Sequence, residues 1–222
     1  MKQIVFLCLA LLLTGSVTLS QKVVYDDHAE KRTIGAFHAI EVSSGIEVIL
    51  TKGDKEELAV SVGNQEYLNQ VRTVVEGGVL KISRSSDDWK FWNRWKNWRV
   101  KVYVSYTNID ALKANSGGSV NGTAIKLQSL NVKLSSGGSI TLSGTVESLQ
   151  VDGSSGAQFH GYGLAVQKCY AEASSGAGVQ VTVDKEISAK ANSGGSIRFK
   201  GEGLIRDINV NSGGSVKRQN NS

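Results

Sequence analysis

From Leu112 onward, apolar and polar residues alternate with a period of two, and Ser-Gly pairs interrupt the alternation at regular distances. The serines are Ser116, Ser136, Ser155, Ser175, Ser193 and Ser212, at spacings of 20, 19, 20, 18 and 19 residues. Aligned on that serine, the unit reads [Ser/Asn]-Ser-Gly-[Gly/Ala]. Four residues after it stand Val120, Ile140, Phe159, Val179, Ile197 and Val216; four before it stand Leu112, Val132, Val151, Ala171, Ala189 and Ile208. Two before it come Ala114, Leu134, Gly153, Ala173, Ala191 and Val210. Alternation on both sides of the pair predicts β-strands with one face inward. A unit of about nineteen residues is too short for a strand plus a real helix, so coils of two or three short strands fit, stacked as a solenoid with equivalent residues ~4.8 Å apart. The turn glycine is expected to supply positive φ or a close backbone approach. The Ser or Asn beside it is expected to bond turn amides or its own equivalents in adjacent coils.

One further Ser-Gly, Ser44-Gly45, lies far upstream with the same phases: Ile40 and Val42 before it, Val48 after it. It reads as an earlier β unit, separated in sequence from the regular array by residues 51–106. Within those residues, strands are expected over 58–62, 79–83 and 99–106, a turn at Glu76-Gly77-Gly78, and a short helix or loop over 64–72. The predicted fold class is therefore all-β. A β-helix or solenoid occupies residues 107–222 and an irregular N-terminal β region residues 21–106, the two forming one continuous body.

The first twenty residues follow neither pattern. Met1-Lys2-Gln3 is a short basic start, residues 4–13 are uninterrupted apolar, and residues 14–20 are small and polar. That is the layout of a secretory signal peptide, with cleavage expected after Ser20; a membrane-spanning helix needs roughly twice that apolar length. Cys8 lies inside the apolar run, whereas a lipid-anchor cysteine follows it directly, so no lipid anchor is expected. Cleavage leaves Cys169 as the one cysteine, no intrachain disulfide and no transmembrane segment. Export to the periplasm, the cell surface or the medium follows. The absence of proline beside 25 glycines agrees with a stacked sheet, because a proline would break inter-coil hydrogen bonds almost anywhere.

The run 37–53, carrying Ser43-Ser44-Gly45-Ile46-Glu47-Val48-Ile49-Leu50-Thr51-Lys52-Gly53, is followed by Gly77-Gly78-Val79-Leu80-Lys81-Ile82 and by repeated Ser-Gly-Gly-Ser units. Behind a signal peptide, this combination resembles the secreted bacterial family of putative auto-transporter adhesins with a head GIN domain, common in Bacteroidetes. The resemblance covers nearly the whole mature chain. It implies a β-helical, non-enzymatic cell-envelope protein and brings no catalytic residue set. The sequence departs from a full autotransporter in showing no C-terminal membrane-barrel pattern, so self-translocation is not expected.

The candidate chemistry concentrates in residues 88–99, where all four tryptophans, Trp89, Trp92, Trp95 and Trp98, alternate with Lys90, Arg94, Lys96 and Arg99. Exposed aromatics flanked by cations suit a cell-surface glycan or a protein partner. The competing reading is that the rings cover an open end of the solenoid or the N-terminal sheet. Nucleic acid is not expected for an exported chain of formal net charge +5. The outward row Lys113, Lys133, Asp152, Glu172, Lys190 and Asn209 brings Asp152 and Glu172 about one coil apart, near the ~5 Å of a retaining glycosidase. Flanking lysines make a solvated charge ladder the better reading, and two carboxylates are too few for Ca²⁺. Cys169 is expected to be a buried thiol, since Leu130, Leu149 and Ile187 hold its place in neighbouring coils. His28, His38 and His160 show no zinc spacing, and no nucleophile elbow or phosphate loop is present, so neither a metal nor a cofactor is expected. The function expected is a non-enzymatic exported adhesin or binding module. A β-helical carbohydrate-active enzyme and a purely structural periplasmic module are the alternatives.

Overall fold

A computed structural model describes Asp26, residues 29–85 and residues 99–220. The expected signal peptide lies outside them. The strands are β1 (Glu30–Arg32), β2 (Ala39–Val42), β3 (Glu47–Lys52), β4 (Glu57–Val62), β5 (Val71–Glu76), β6 (Val79–Arg84), β7 (Val100–Tyr106) and β8 (Ala111–Ala114). They continue as β9 (Ser119–Leu134), β10 (Ser139–Gly153), β11 (Gln158–Ala173), β12 (Gly178–Ala191), β13 (Ser196–Lys200), β14 (Leu204–Val210) and β15 (Ser215–Arg218). All fifteen join one sheet. The segment after β4 forms a 3₁₀ helix, Gln65–Gln70, started by Asn64, whose side-chain oxygen accepts the Glu66 N–H at 3.1 Å.

The repeat folds as its period requires. β9, β10, β11 and β12 pair in parallel in chain order, each residue lying beside its equivalent one coil on. A coil has three paired stretches. Ser139–Leu142 lies beside Ser119–Gly122, Gly144–Val146 beside Ile125–Leu127 after a register shift, and Ser148–Gly153 beside Ser129–Leu134. The rows that the alternation placed inward are the core: Val120, Ile140, Phe159 and Ile197 are fully buried, as are Leu112, Val132, Val151 and Ala171. The coil that turns Phe159 inward also buries Gly161, Leu164, Val166, Cys169, Ala171 and Ala173.

At the turns the structure adds to the expectation. Positive φ belongs to the serine as well as the glycine: 49° and 73° at Ser116 and Gly117, 49° and 70° at Ser136 and Gly137, and likewise in every unit. The Gly118 N–H donates to the Asn115 carbonyl at 2.9 Å, closing a tight turn with two left-handed central residues, the pattern of type I′. One residue later, two coils accept a Cβ, at Ala157 and Ala177, and the others do not. A Cβ at Gly138 would stand 2.3 Å from the Ala114 carbonyl oxygen of the preceding coil, whereas one at Gly137 meets nothing within 4 Å.

The upstream Ser44-Gly45 unit belongs to the same stack. β2 lies beside β8 with Ile40 opposite Leu112, and β3 lies beside β9 with Val48 opposite Val120. Residues 51–106 separate the two units in sequence but not in space. From them come β6, parallel to β2, and β7, parallel to β3, on the far side of the β2–β3 coil. Antiparallel strands then close this end of the stack: β5 on β6, β4 on β7 and β1 on β4. At the other end, among the described residues, β14 pairs only with β12 and β15 only with β13. There the inward phase continues without burial: Ile205, Ile208 and Val210 are 49%, 41% and 45% exposed, and Leu204, opposite the outward Glu186, is 64% exposed.

Candidate binding surfaces

β6 and β7 are the two arms of one coil, and residues 86–98 join them. They connect the same two arms that the Ser43–Ile46 turn connects in the adjacent coil. Trp89, Trp92, Trp95, Trp98, Lys90, Arg94 and Lys96 lie outside the described residues. Arg99 lies inside them, exposed at the entrance to β7. Both flanks are held by backbone: the Ser85 N–H donates to the Gln70 carbonyl at 2.8 Å and the Gly63 N–H to the Arg99 carbonyl at 3.0 Å. Below this junction Arg32 donates from Nη1 to the Val71 carbonyl at 2.6 Å and from Nη2 to the Leu68 carbonyl at 2.8 Å, tying β1 to the helix and to β5. A signal for this coil was present in the sequence, because Ile82 and Val102 carry the phases of Val42 and Val48.

The outward ladder forms in register. Glu41, Lys113 and Lys133 follow one another across coils, then Asp152, Glu172, Lys190 and Asn209. Asp152 and Glu172 are direct partners, yet Glu172 is engaged by Lys190 at 3.0 Å and Glu41 by Lys113 at 2.9 Å. The hydrogen bond to Glu172, with its charge, raises the Lys190 ammonium above its usual range. Opposite charges thus compensate along the row. Beside it Tyr170 is 43% exposed, its hydroxyl 3.4 Å from Glu172.

Elsewhere the outer faces offer polar side chains, and two cations stack on rings, one of them the buried Phe199. Lys200 Nζ lies 5.1 Å from the Tyr162 ring centroid, and Arg218 lies 5.1 Å from that of Phe199. A shallow groove of about 600 Å³ runs past Lys52, Lys126, Thr145, Glu147, Gln167 and Asp184. Gln167 Nε2 donates to Asp184 there at 3.1 Å. Cys169 is buried in line with Leu149 and Ile187, and burial pushes its thiol up to about 12, which keeps it in the unreactive protonated form. His38 Nδ1 stands 2.9 Å from Asp110 Oδ1, and His160 Nδ1 stands 3.3 Å from Gln180 Oε1. Among the described residues no three His, Cys, Asp or Glu side chains gather as a metal cluster, and no helix is long and apolar enough to cross a membrane.

These features define a parallel β-solenoid, closed at one end by antiparallel strands, with charge-compensated outer faces. The chain belongs to the family described as putative auto-transporter adhesin, head GIN domain, which matches residues 36–203. Among solved structures, a putative adhesin from Bacteroides fragilis NCTC 9343 shares the fold. Its TM-score is 0.64 at 15% identity, with 90% of this chain and 98% of that chain covered. A putative lipid binding protein from Parabacteroides distasonis ATCC 8503 aligns with a TM-score of 0.44 at 20% identity, covering 86% of this chain and 96% of that chain. A putative adhesin from Parabacteroides merdae ATCC 43184 aligns at 0.46 and 13%, covering 87% and 95%. Comparison with curated proteins gives no match.

Proposed function

We propose that the chain is a non-catalytic, exported binding module of the bacterial cell envelope that holds a surface glycan or protein through residues 88–99. The observation that carries this reading is the placement of all four tryptophans and four cations in the one connection between β6 and β7, whose two flanks are fixed by backbone hydrogen bonds. A rigid platform lowers the ordering cost of a contact loop, and aromatic side chains supply large contact area for few rotamers. Membership of an adhesin family supports the same reading. Residues 1–20 supply the export signal.

The test is a glycan and envelope-protein binding screen on residues 21–222, beside a variant with Trp89, Trp92, Trp95 and Trp98 replaced by Ala. Binding lost with an unchanged thermal midpoint supports the proposal. A midpoint that collapses, together with wild-type tryptophans inaccessible to iodide, instead assigns the rings to covering the core.

A further inference from the structure

We propose that the C-terminal end of the solenoid is a docking surface for a second copy of this chain, joined about a two-fold axis through antiparallel pairing of β14 with its counterpart. Two features meet at this end. β14 is an edge strand whose outer N–H and C=O groups pair with no described strand, and its inward-phase residues Ile205, Ile208 and Val210 are 49%, 41% and 45% exposed. A lipid surface or a sugar could cover the apolar atoms, but only another strand edge supplies backbone partners along the whole row. The occupant is therefore a β-edge.

The sequence of β14 selects its own copy. Pairing centred on Ile208 sets Ile208 against Ile208 of the second copy and Asp207 against Asn209, whose amide can donate to the carboxylate. The remaining charge on the strand, Arg206, is already held by Glu186 at 2.9 Å, so no like charges face each other. Continuing inward from each side, Ile208 follows Ala189 and Ala171, which makes one apolar row through both copies. Head-to-tail stacking finds no matching edge at the opposite end, where β1 is only Glu30–Arg32 and Arg32 covers the Val71 carbonyl of β5. The contact is therefore isologous and closes as a dimer instead of extending into a fibre.

Sedimentation equilibrium of residues 21–222 should show a dimer in the micromolar range, and Ile208→Asp should weaken it at least ~100-fold with an unchanged circular dichroism spectrum. As a second measure that does not depend on that variant folding, Ile208→Cys should cross-link two chains under mild oxidation. Directly opposed residues lie about 4.5–5.5 Å apart at Cα, within disulfide reach. Leu204→Cys should not cross-link, since its two copies would stand on the order of 25 Å apart. A wild-type chain that stays monomeric at ~100 µM, or a dimer that survives Ile208→Asp and fails to cross-link at residue 208, overturns the proposal. Both outcomes are independent of the tryptophan segment.

Discussion

The Gly117 amide donates to the Ser136 carbonyl of the next coil at 3.2 Å, and Gly137 repeats the bond to Ser155 at 3.1 Å. This backbone ladder runs along the edge of the stack, and it explains why the turn holds two left-handed residues. Only that conformation points the glycine amide along the solenoid axis while closing the turn on itself.

Substitutions at adjacent turn glycines should therefore differ in kind. Gly137→Val places a Cβ in open space but at φ 70°, so its cost is conformational, about 1–3 kcal/mol. Gly138 has no positive φ, so Gly138→Val meets no such strain but must displace the Ala114 backbone carbonyl, which should cost more. Urea unfolding of both variants checks the order, and equal midpoints would remove the steric role given to Gly138.

Tyr106 is fully buried, and among the described residues its hydroxyl has no partner. Burial pushes its pKa up to about 12. Tyr106→Phe removes a polar group that folding desolvates, so stability should be unchanged or raised by up to ~1 kcal/mol. Thermal unfolding decides it. A loss of stability would mean that the hydroxyl has a partner beyond the described residues.

Acid should loosen the last coil first. The Glu186 carboxyl is held below the usual 4.5, foremost by the hydrogen bond from Arg206 of β14, despite burial acting the other way. Because the folded pKa is depressed, this stabilisation is present above the usual value and is lost as pH falls through the folded one. Amide exchange in β14, corrected for intrinsic rates, should accelerate more than in β10 as pH falls below the usual carboxylate value and through the lowered pKa of Glu186. Glu186→Gln should remove the difference between the two strands.

Much of this architecture was legible because a solenoid repeats its physics at every coil. Val120, Ile140 and Phe159 declare their inward row by phase alone, and the ladder from Lys113 to Asn209 follows from the same register. The order of the N-terminal coils was not legible. Ile82 and Val102 share the phases of Val42 and Val48, but phase does not say which coil lies inside and which at the end. Nor does it report burial at a terminus, since Ile208 carries the same phase as Ala189 yet has no coil above it among the described residues. The left-handed serines were hidden for a different reason. Serine rarely adopts that conformation, and only a ladder fixing the turn from both sides holds it there. The aromatic segment was conspicuous by composition, but that its flanking strands β6 and β7 are two arms of one coil emerged only from their pairing.

The insertion of the β2–β3 coil between two later ones separates the order of synthesis from the order of assembly. Pairing Ser119 with Ser139 closes a loop of about 20 residues, whereas pairing Glu47 with Ser119 closes one of roughly 70, an added entropic cost of about 1 kcal/mol. Coils β9 to β12 can each form on a near neighbour, whereas β2 and β3 can pair earlier with β6 and β7 but gain their second neighbours only when β8 and β9 arrive. A chain delivered N-terminus first would therefore hold its early hydrophobic strands β2 and β3 without their β8 and β9 neighbours until about half of its length had been delivered.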